Sequence, residues 1–459
     1  MPLETTPKSS IFARRVTGLF LVLSIQALLY VFYCSEIVSH GLRYDVYLKY
    51  YLVCLSSTIF WAWVFRLTDE IKLNIILVTT SLVMGIYLIE FYFYSFGSVL
   101  VDHSVSTEVR SAAAKAVGKK YNTQTKRQVY LSLKDNGLDV VPSVHPSELF
   151  LNTNGISVGD SLHPLGGISE KTTIYCNEKG NYAIFKSDRY GFNNPNSEWD
   201  STQIDWVLTG DSFAQGACVN PGEEIAGQIR SITKESVVNL GIGGNGLLSE
   251  LAVLKEYAEL IKPKKVLWVY YEGNDLLDLE REKSASLLMS YLKPKFSQNL
   301  IHRQTEIDKM LSHYITQAET DTEKLDLRTK FTNVRQFFKI FKLINIRQRM
   351  GLDLTVGPLF KEILKEARDR TESWGGKLFF VYLPNYSRYK AEINNSDTYM
   401  KRRLVIDTVN SLNIPVIDVH KNVFEGHPDP LSLFPFRQFG HYTSEANTKI
   451  ANAIILNVS

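Results

Sequence analysis

The sequence predicts a three-layer α/β/α domain built on a five-stranded parallel sheet, preceded by three transmembrane helices and a small β-rich subdomain. Three observations carry this. From residue 201 onward, five apolar strand-like runs alternate with helix-like segments, the order that produces a parallel sheet covered on both faces. The first 97 residues hold three long apolar stretches. Between the two, from about residue 146 to 200, short runs of β-formers are separated by turn signals.

The strand runs are Trp206-Val207-Leu208, Val237-Val238-Asn239-Leu240, Val266 to Tyr271, Lys377 to Tyr382 and Ile414 to Val419. Helices are expected over Glu223 to Thr233, Leu247 to Ile261, Leu359 to Trp374 and Thr443 to Asn457. An insertion over about 276–355 separates the third and fourth strands and reads as mainly helical. Within it Val334, Phe337, Phe338, Ile340, Phe341, Leu343 and Ile344 stripe one side of a basic stretch. An ordinary amphipathic helix on the core is the plainer reading, and a lid or membrane-surface helix the sharper one. Residues 98 to about 145 read as a polar stalk with some helix. Asn152-Thr153-Asn154-Gly155, Pro164-Leu165-Gly166-Gly167 and Thr172 to Tyr175 followed by Asn177-Glu178-Lys179-Gly180 supply the β-rich pattern. The expected domains are thus 1–97, 98–200 and 201–459.

The apolar stretches run from Val16 to Ser35, Tyr50 to Phe65 and Leu73 to about Phe96. About 20 uncharged residues suffice to span a bilayer core, and Lys49, Arg66 and Lys72 can reach the interface. Gln26 to Val38 offers no small-x-small cleavage site, so a removed signal peptide fits poorly. Lys8, Arg14 and Arg15 before the first span favour a cytoplasmic N-terminus. Three crossings then put everything after about residue 97 on the outer side, which is the periplasm if the source is Gram-negative, with the bilayer itself as the first partner. The net charge of +3 over 459 residues, with no basic block, leaves no footprint for nucleic acid. Cys34 and Cys54 lie in apolar runs. Cys176 and Cys218 would form a disulfide if their domain lies outside the cytoplasm, with two buried thiols as the alternative. No two histidines fall at ligand spacing, so no metal is expected, and no cofactor is expected either.

Chemistry concentrates in four short segments: Gly210-Asp211-Ser212-Phe213, Gly241-Ile242-Gly243-Gly244, Gly273-Asn274-Asp275 and His441. The first three each follow a strand run, and loops at the carboxyl ends of parallel strands meet in one crevice. A serine nucleophile, backbone and amide donors, and an imidazole base are what acyl transfer requires. In these blocks and their order the chain resembles the SGNH hydrolase superfamily, the GDSL esterases and lipases, over roughly its last 260 residues. The stretch from Ser187 to Asn194 and on to Asp275 is similar to bacterial envelope members with an N-terminal membrane anchor. The resemblance implies a flavodoxin-like fold, Ser212 as nucleophile, Gly244 and Asn274 as oxyanion donors, and His441 as base.

One position departs from that pattern. Where the superfamily usually has Asp, three residues before the histidine, this chain has Gln438. Gln438 itself could hold the imidazole tautomer, or Asp429 or Asp418 could reach the ring. Gly241 to Gly246 also matches GxGxxG, with Glu272 near the place of a ribose-binding acid, so a dinucleotide site is a minor alternative. The resemblance implies a reaction class and no substrate; the four blocks together with the topology lead us to expect a membrane-anchored serine esterase or O-acyltransferase acting on acyl, above all acetyl, esters of an envelope glycan. A transferase would need a separate membrane acyl-donor protein. A catalytically weak or silent glycan-binding scaffold, and a lipid esterase, stand as alternatives.

Overall fold

The computed structural model describes residues 7–38, 44–96, 105–146, 162–283, 285–320, 343, 356–390 and 399–458. Of the apolar stripe in the insertion, all but Leu343 lies outside the described residues. The chain divides into two compact units, one comprising Met1–Ser98 and Val334–Ile346, the other Val99–Asn333 and Arg347–Ser459.

The first unit contains three helices, α1 (Pro7–Phe32, running into a π turn over Tyr33–Val38), α2 (Tyr44–Val64) and α3 (Asp69–Phe96). Helix α1 packs against both others. A small cluster of Trp61, Val64 and Ile76 forms between them, and Phe20 stacks on Trp61 with ring centroids 4.5 Å apart. Two segments, Ser9–Ile37 and Asp69–Tyr92, are long and apolar enough to cross a membrane. Most of their side chains face outward, Leu29 being 62% and Leu77 69% exposed. A helix apolar on every side is not built for a water-facing surface. Helix α2, expected as a third span, is not one of these two segments.

The second unit is organised around a parallel sheet of β4 (Trp206–Gly210), β5 (Val237–Asn239), β6 (Lys265–Tyr271), β7 (Lys377–Leu383) and β8 (Val416–Asp418), in the order β5-β4-β6-β7-β8. All four pairings are parallel, as the alternation of strand and helix requires. Side chains along each strand alternate between two cores. Val266, Trp268 and Tyr270 enter one, and Leu267, Val269 and Tyr271 enter the other. Each fully buried side chain of this size contributes roughly 1.5–3 kcal/mol. Helices α8 (Leu247–Val253), α9 (Asp275–Glu282), α10 (Gln304–Thr320), α11 (Pro358–Ser373) and α12 (Arg402–Asn410) lie on the first face. Helix α8 continues through a buried π turn, Leu254–Ala258, to Ile261. Helices α7 (Ile225–Thr233) and α13 (Ser444–Val458) cover the second face. The order of connection reverses at β4, so the carboxyl ends of β4 and β6 open side by side at the switch point.

The segment before this sheet is folded onto it. Helices α4 (Thr107–Ala116) and α5 (Lys126–Asp135) are capped by Ser106 and Thr125, the latter in a capping box with Gln128. A small sheet of three-residue strands follows: β1 (Val140–Pro142) parallel to β2 (Thr172–Ile174), and β2 antiparallel to β3 (Ile184–Lys186). Val129 and Tyr130 of α5 pack on Val140 and Ile174. Residues expected as a stalk therefore form two helices and a strand in the same compact unit as the large sheet.

Candidate active site

Strand β4 delivers Ser212. Asp211 caps the short helix α6 (Ser212–Gln215) by accepting the Phe213 N–H at its Oδ1, 2.8 Å away, and Gly216 ends the helix in the left-handed region. Ser212 thereby stands at the first turn, its N–H among the orphans of a helix start. Its Oγ lies 2.9 Å from His441 Nε2. His441 sits just before α13, with the Phe213 ring 4.7 Å from its own. Phe213 in turn stacks on Tyr271 at 3.7 Å and meets Tyr442 edge-on at 4.9 Å, which fixes the imidazole's apolar flank.

The other ring nitrogen, Nδ1, is 3.2 Å from Oε1 of Glu178. The same carboxylate accepts the His441 backbone N–H at Oε2, 2.7 Å away. Glu178 lies in the turn after β2, 263 residues before the histidine. Gln438 and Asp429, expected as its orienting groups, do not occupy that place. Gln438 closes a turn through its N–H to the Pro435 carbonyl, Asp429 pairs with Arg437, and Asp418 pairs with Arg402. Phe436 and Arg437, just before Gln438, both adopt left-handed φ values, 53° and 56°.

The loop after β5 is tied to Ser212's helix, with Gly243 N–H donating to Gln215 Oε1 (2.8 Å) and Ile242 N–H to the Gly210 carbonyl (3.2 Å). Gly244 follows at φ 82°, a conformation that suits glycine, and its N–H engages no described residue. Asn274 sits at the start of α9 with its amide Nδ2 donating to Asp278 (2.8 Å) and, at a longer 3.3 Å, to Asp211. Asn274 occupies the N-cap position of α9 without a side-chain cap hydrogen bond, and Asp275 Oδ2 accepts the Tyr271 N–H at 2.8 Å. Cys176 and Cys218 are joined, with their Cα atoms 4.9 Å apart, so the Glu178 turn is bonded to the loop beyond Ser212.

Electrostatics couple the imidazole to its carboxylate. Burial alone would push the Glu178 carboxyl up, but the facing His441 and the Arg110 guanidinium hold it below its ordinary value. Burial would lower His441, and the charge and hydrogen bond of Glu178 overcome that and raise it. Among the described residues Glu178, Cys218 and His441 bring ligand-type atoms within 4.8 Å of one another. Cys218 is spent in the disulfide and offers no thiolate, so the trio does not make a metal set.

The glycine loop does not fit a dinucleotide. The N–H groups of Gly246 and Leu248 at the start of α8, where a pyrophosphate would bind, both donate to the Glu282 carboxylate at 2.9 and 2.8 Å. Glu272 is likewise engaged, in a fully buried pair with Arg388.

No family model matches the chain, and no curated protein matches it. Solved structures similar to it include a putative lipolytic protein of G-D-S-L family from Desulfitobacterium hafniense DCB-2, at 12% identity and a TM-score of 0.31, covering 55% of this chain and 98% of that one. The lipase/acylhydrolase from Enterococcus faecalis is similar at 14% identity and a TM-score of 0.32, covering 56% and 95%. The acetylxylan esterase Axe2 from Geobacillus stearothermophilus is similar at 13% identity and a TM-score of 0.31, covering 56% and 94%. Likeness this slight carries no weight for substrate or mechanism, which rest on the geometry above. Over a little more than half its length, the chain is similar to lipolytic hydrolases and acetyl esterases of the GDSL/SGNH kind.

Proposed function

We propose that the chain is a membrane-anchored serine esterase or O-acyltransferase of the SGNH type, acting outside the cytoplasm on acetyl or similar small acyl esters of an envelope glycan. The observation that carries this is the relay Ser212 Oγ to His441 Nε2 at 2.9 Å and His441 Nδ1 to Glu178 at 3.2 Å. In this reading His441 takes the serine proton as Oγ attacks the ester carbonyl. The oxyanion is received by the N–H groups of Ser212 and Gly244 and by the Asn274 amide, whose longer bond to Asp211 is the one exchanged for substrate. Collapse expels the alcohol, protonated by His441, and leaves an acyl-Ser212. Water then releases the acid, or a sugar hydroxyl accepts the acyl group. In the transferase case a separate membrane protein would supply the acyl donor.

Support for the anchor comes from the two long apolar helices, and for an oxidising compartment from the Cys176–Cys218 bridge. A carboxylate facing the imidazole, where Gln438 could have offered only an amide, supports an active site over a silent scaffold. The test is turnover of p-nitrophenyl acetate and labelling by a fluorophosphonate probe, using the full chain in detergent. Wild type should do both, and Ser212→Ala should lose turnover by about 10³-fold or more and all labelling. Equal turnover in the two proteins would sink the proposal. Acetate release against transfer to an added oligosaccharide separates esterase from transferase.

A further inference from the structure

Arg110 is carried by α4, in the segment that precedes the small sheet, yet its guanidinium is 5% exposed and lies at the triad. Nη2 is 3.2 Å from Glu178 Oε1 and also donates to the Phe439 carbonyl at 2.7 Å. One cation therefore bridges the turn that bears the carboxylate and the loop that bears the imidazole. The fit is close enough to dictate a neighbour. A Cβ on Gly440 would stand 2.5 Å from Glu178 Oε2 and 3.0 Å from Arg110 Nη2, so a side chain there would displace one of them.

The same segment clasps the Glu178 turn at three further points. Asn122 N–H donates to the Gly180 carbonyl (2.7 Å), Asn177 Nδ2 to the Asn122 carbonyl (2.9 Å), and Tyr121 OH to the Asn177 carbonyl (2.9 Å). On the other side the turn is held by the bridge to Cys218 and by the Lys179–Glu223 pair at 2.6 Å. A partly buried carboxylate on a turn with no regular structure of its own keeps its place only through such partners.

We infer that Arg110 is a positioning residue for the reaction: it locks Glu178 against His441, so that the site is complete only with the segment of α4 docked on the hydrolase layer. The inference rests on the proposed acyl-transfer reading for its kinetic consequence, and not for its structural one. The full chain in detergent would be compared with Arg110→Met, Arg110→Lys, Glu178→Gln and the Arg110→Met/Glu178→Gln double variant.

If Arg110 acts through Glu178, Arg110→Met lowers kcat by about 10-fold or more with KM unchanged, and Arg110→Lys recovers part of it. Adding Arg110→Met to Glu178→Gln then costs nothing further, because a positioning residue has no effect once its client is gone. Independent losses that multiply in the double variant would overturn the inference. A second readout needs no turnover: the downfield Nδ1–H proton of His441 in NMR, which should be present in wild type and lost in Arg110→Met and Glu178→Gln alike. Its persistence unchanged in Arg110→Met also overturns the inference. A chain that hydrolyses no ester yet loses that proton on substitution keeps Arg110 as positioning residue while the acyl-transfer reading falls. Should Arg110→Met fold poorly, Arg110→Lys decides: reduced kcat with a weakened signal is expected, and wild-type values for both refute the inference.

Discussion

In the proposed mechanism Glu178 sets both the direction in which His441 points and the pH at which it acts as a base. The imidazole works as a base only when neutral, and Glu178 raises its pKa above the ordinary value of 6.5 against the opposing effect of burial. The acid limb of the esterase profile is therefore expected above pH 6.5 in the wild type. In Glu178→Gln the raising charge is gone while burial remains, so the limb should move to lower pH. Turnover should fall at the same time, by roughly 10²–10⁴-fold on the scale of carboxylate loss in serine proteases, since the developing imidazolium loses its counter-charge. Measuring kcat/KM for p-nitrophenyl acetate from pH 5 to 9 tests both parts. A variant with the same midpoint and rate would mean that the 3.2 Å contact is structural only.

At the scale of elements, the disulfide does for the Glu178 turn what strand pairing does for Ser212. It spans 42 residues, and closing a loop of that length stabilises a native chain by about 4 kcal/mol in the chain-entropy view. Replacing Cys176 and Cys218 by serine should lower the unfolding temperature by several degrees, and should lower kcat as well because Glu178 is two residues from Cys176. Cys34 and Cys54, free and half-buried in the apolar helices, provide the matched control: their replacement should change neither. Lower stability with intact kcat would show that the remaining contacts suffice to hold the carboxylate. The same elements explain what could be read in advance. The sheet and the Ser212 and His441 blocks were legible because strand–loop–helix order and short local motifs encode them. Glu178 was not, because nothing local distinguishes an ordinary turn glutamate from one that meets a histidine 263 residues away. The one usable signal was indirect: a bridge from Cys176 to Cys218 would bring a carboxylate two residues along the chain close to the nucleophile loop. Arg110 gave no signal, since a lone arginine in a short polar helix ordinarily faces solvent. The edges of the elements shifted for local reasons, as where the last strand starts at Val416, past Pro415, which has no N–H to give to a ladder.

The whole molecule carries an electrostatic load that its site motifs do not reveal. Beneath the switch point Asp211, Glu250, Asp275, Asp278 and Glu282 are all buried, and both carboxylate oxygens of Glu250 lack a hydrogen-bond partner among the described residues. Burial pushes Asp278 up to about 7 in spite of the neighbouring Arg281. Burial also raises Glu282 to about 7, despite the N–H groups at the start of α8 that favour its charge. Glu250 and Asp275 go well above their ordinary values, from burial first and then from the negative charges around them. An acid whose pKa is raised on folding binds more protons in the native than in the unfolded chain, so its effect on stability becomes less favourable as pH rises. The decline begins near the unfolded values of about 4 and, for Asp278 and Glu282, levels off above about pH 7. Glu178 works the other way, its contribution being lost as pH falls, but below about pH 4.5 and so outside this window. His441, raised on folding, contributes fully below 6.5 and loses that contribution as pH rises through its folded pKa, which adds to the decline. The unfolding midpoint of the full chain should therefore drop between pH 5 and pH 8. Glu250→Gln, which keeps the shape and cannot ionise, should flatten that slope and leave the Ser212–His441–Glu178 relay untouched. A midpoint that is constant or rises over this range, or a Glu250→Gln slope equal to wild type, would show that these buried acids are balanced by partners beyond those seen around them.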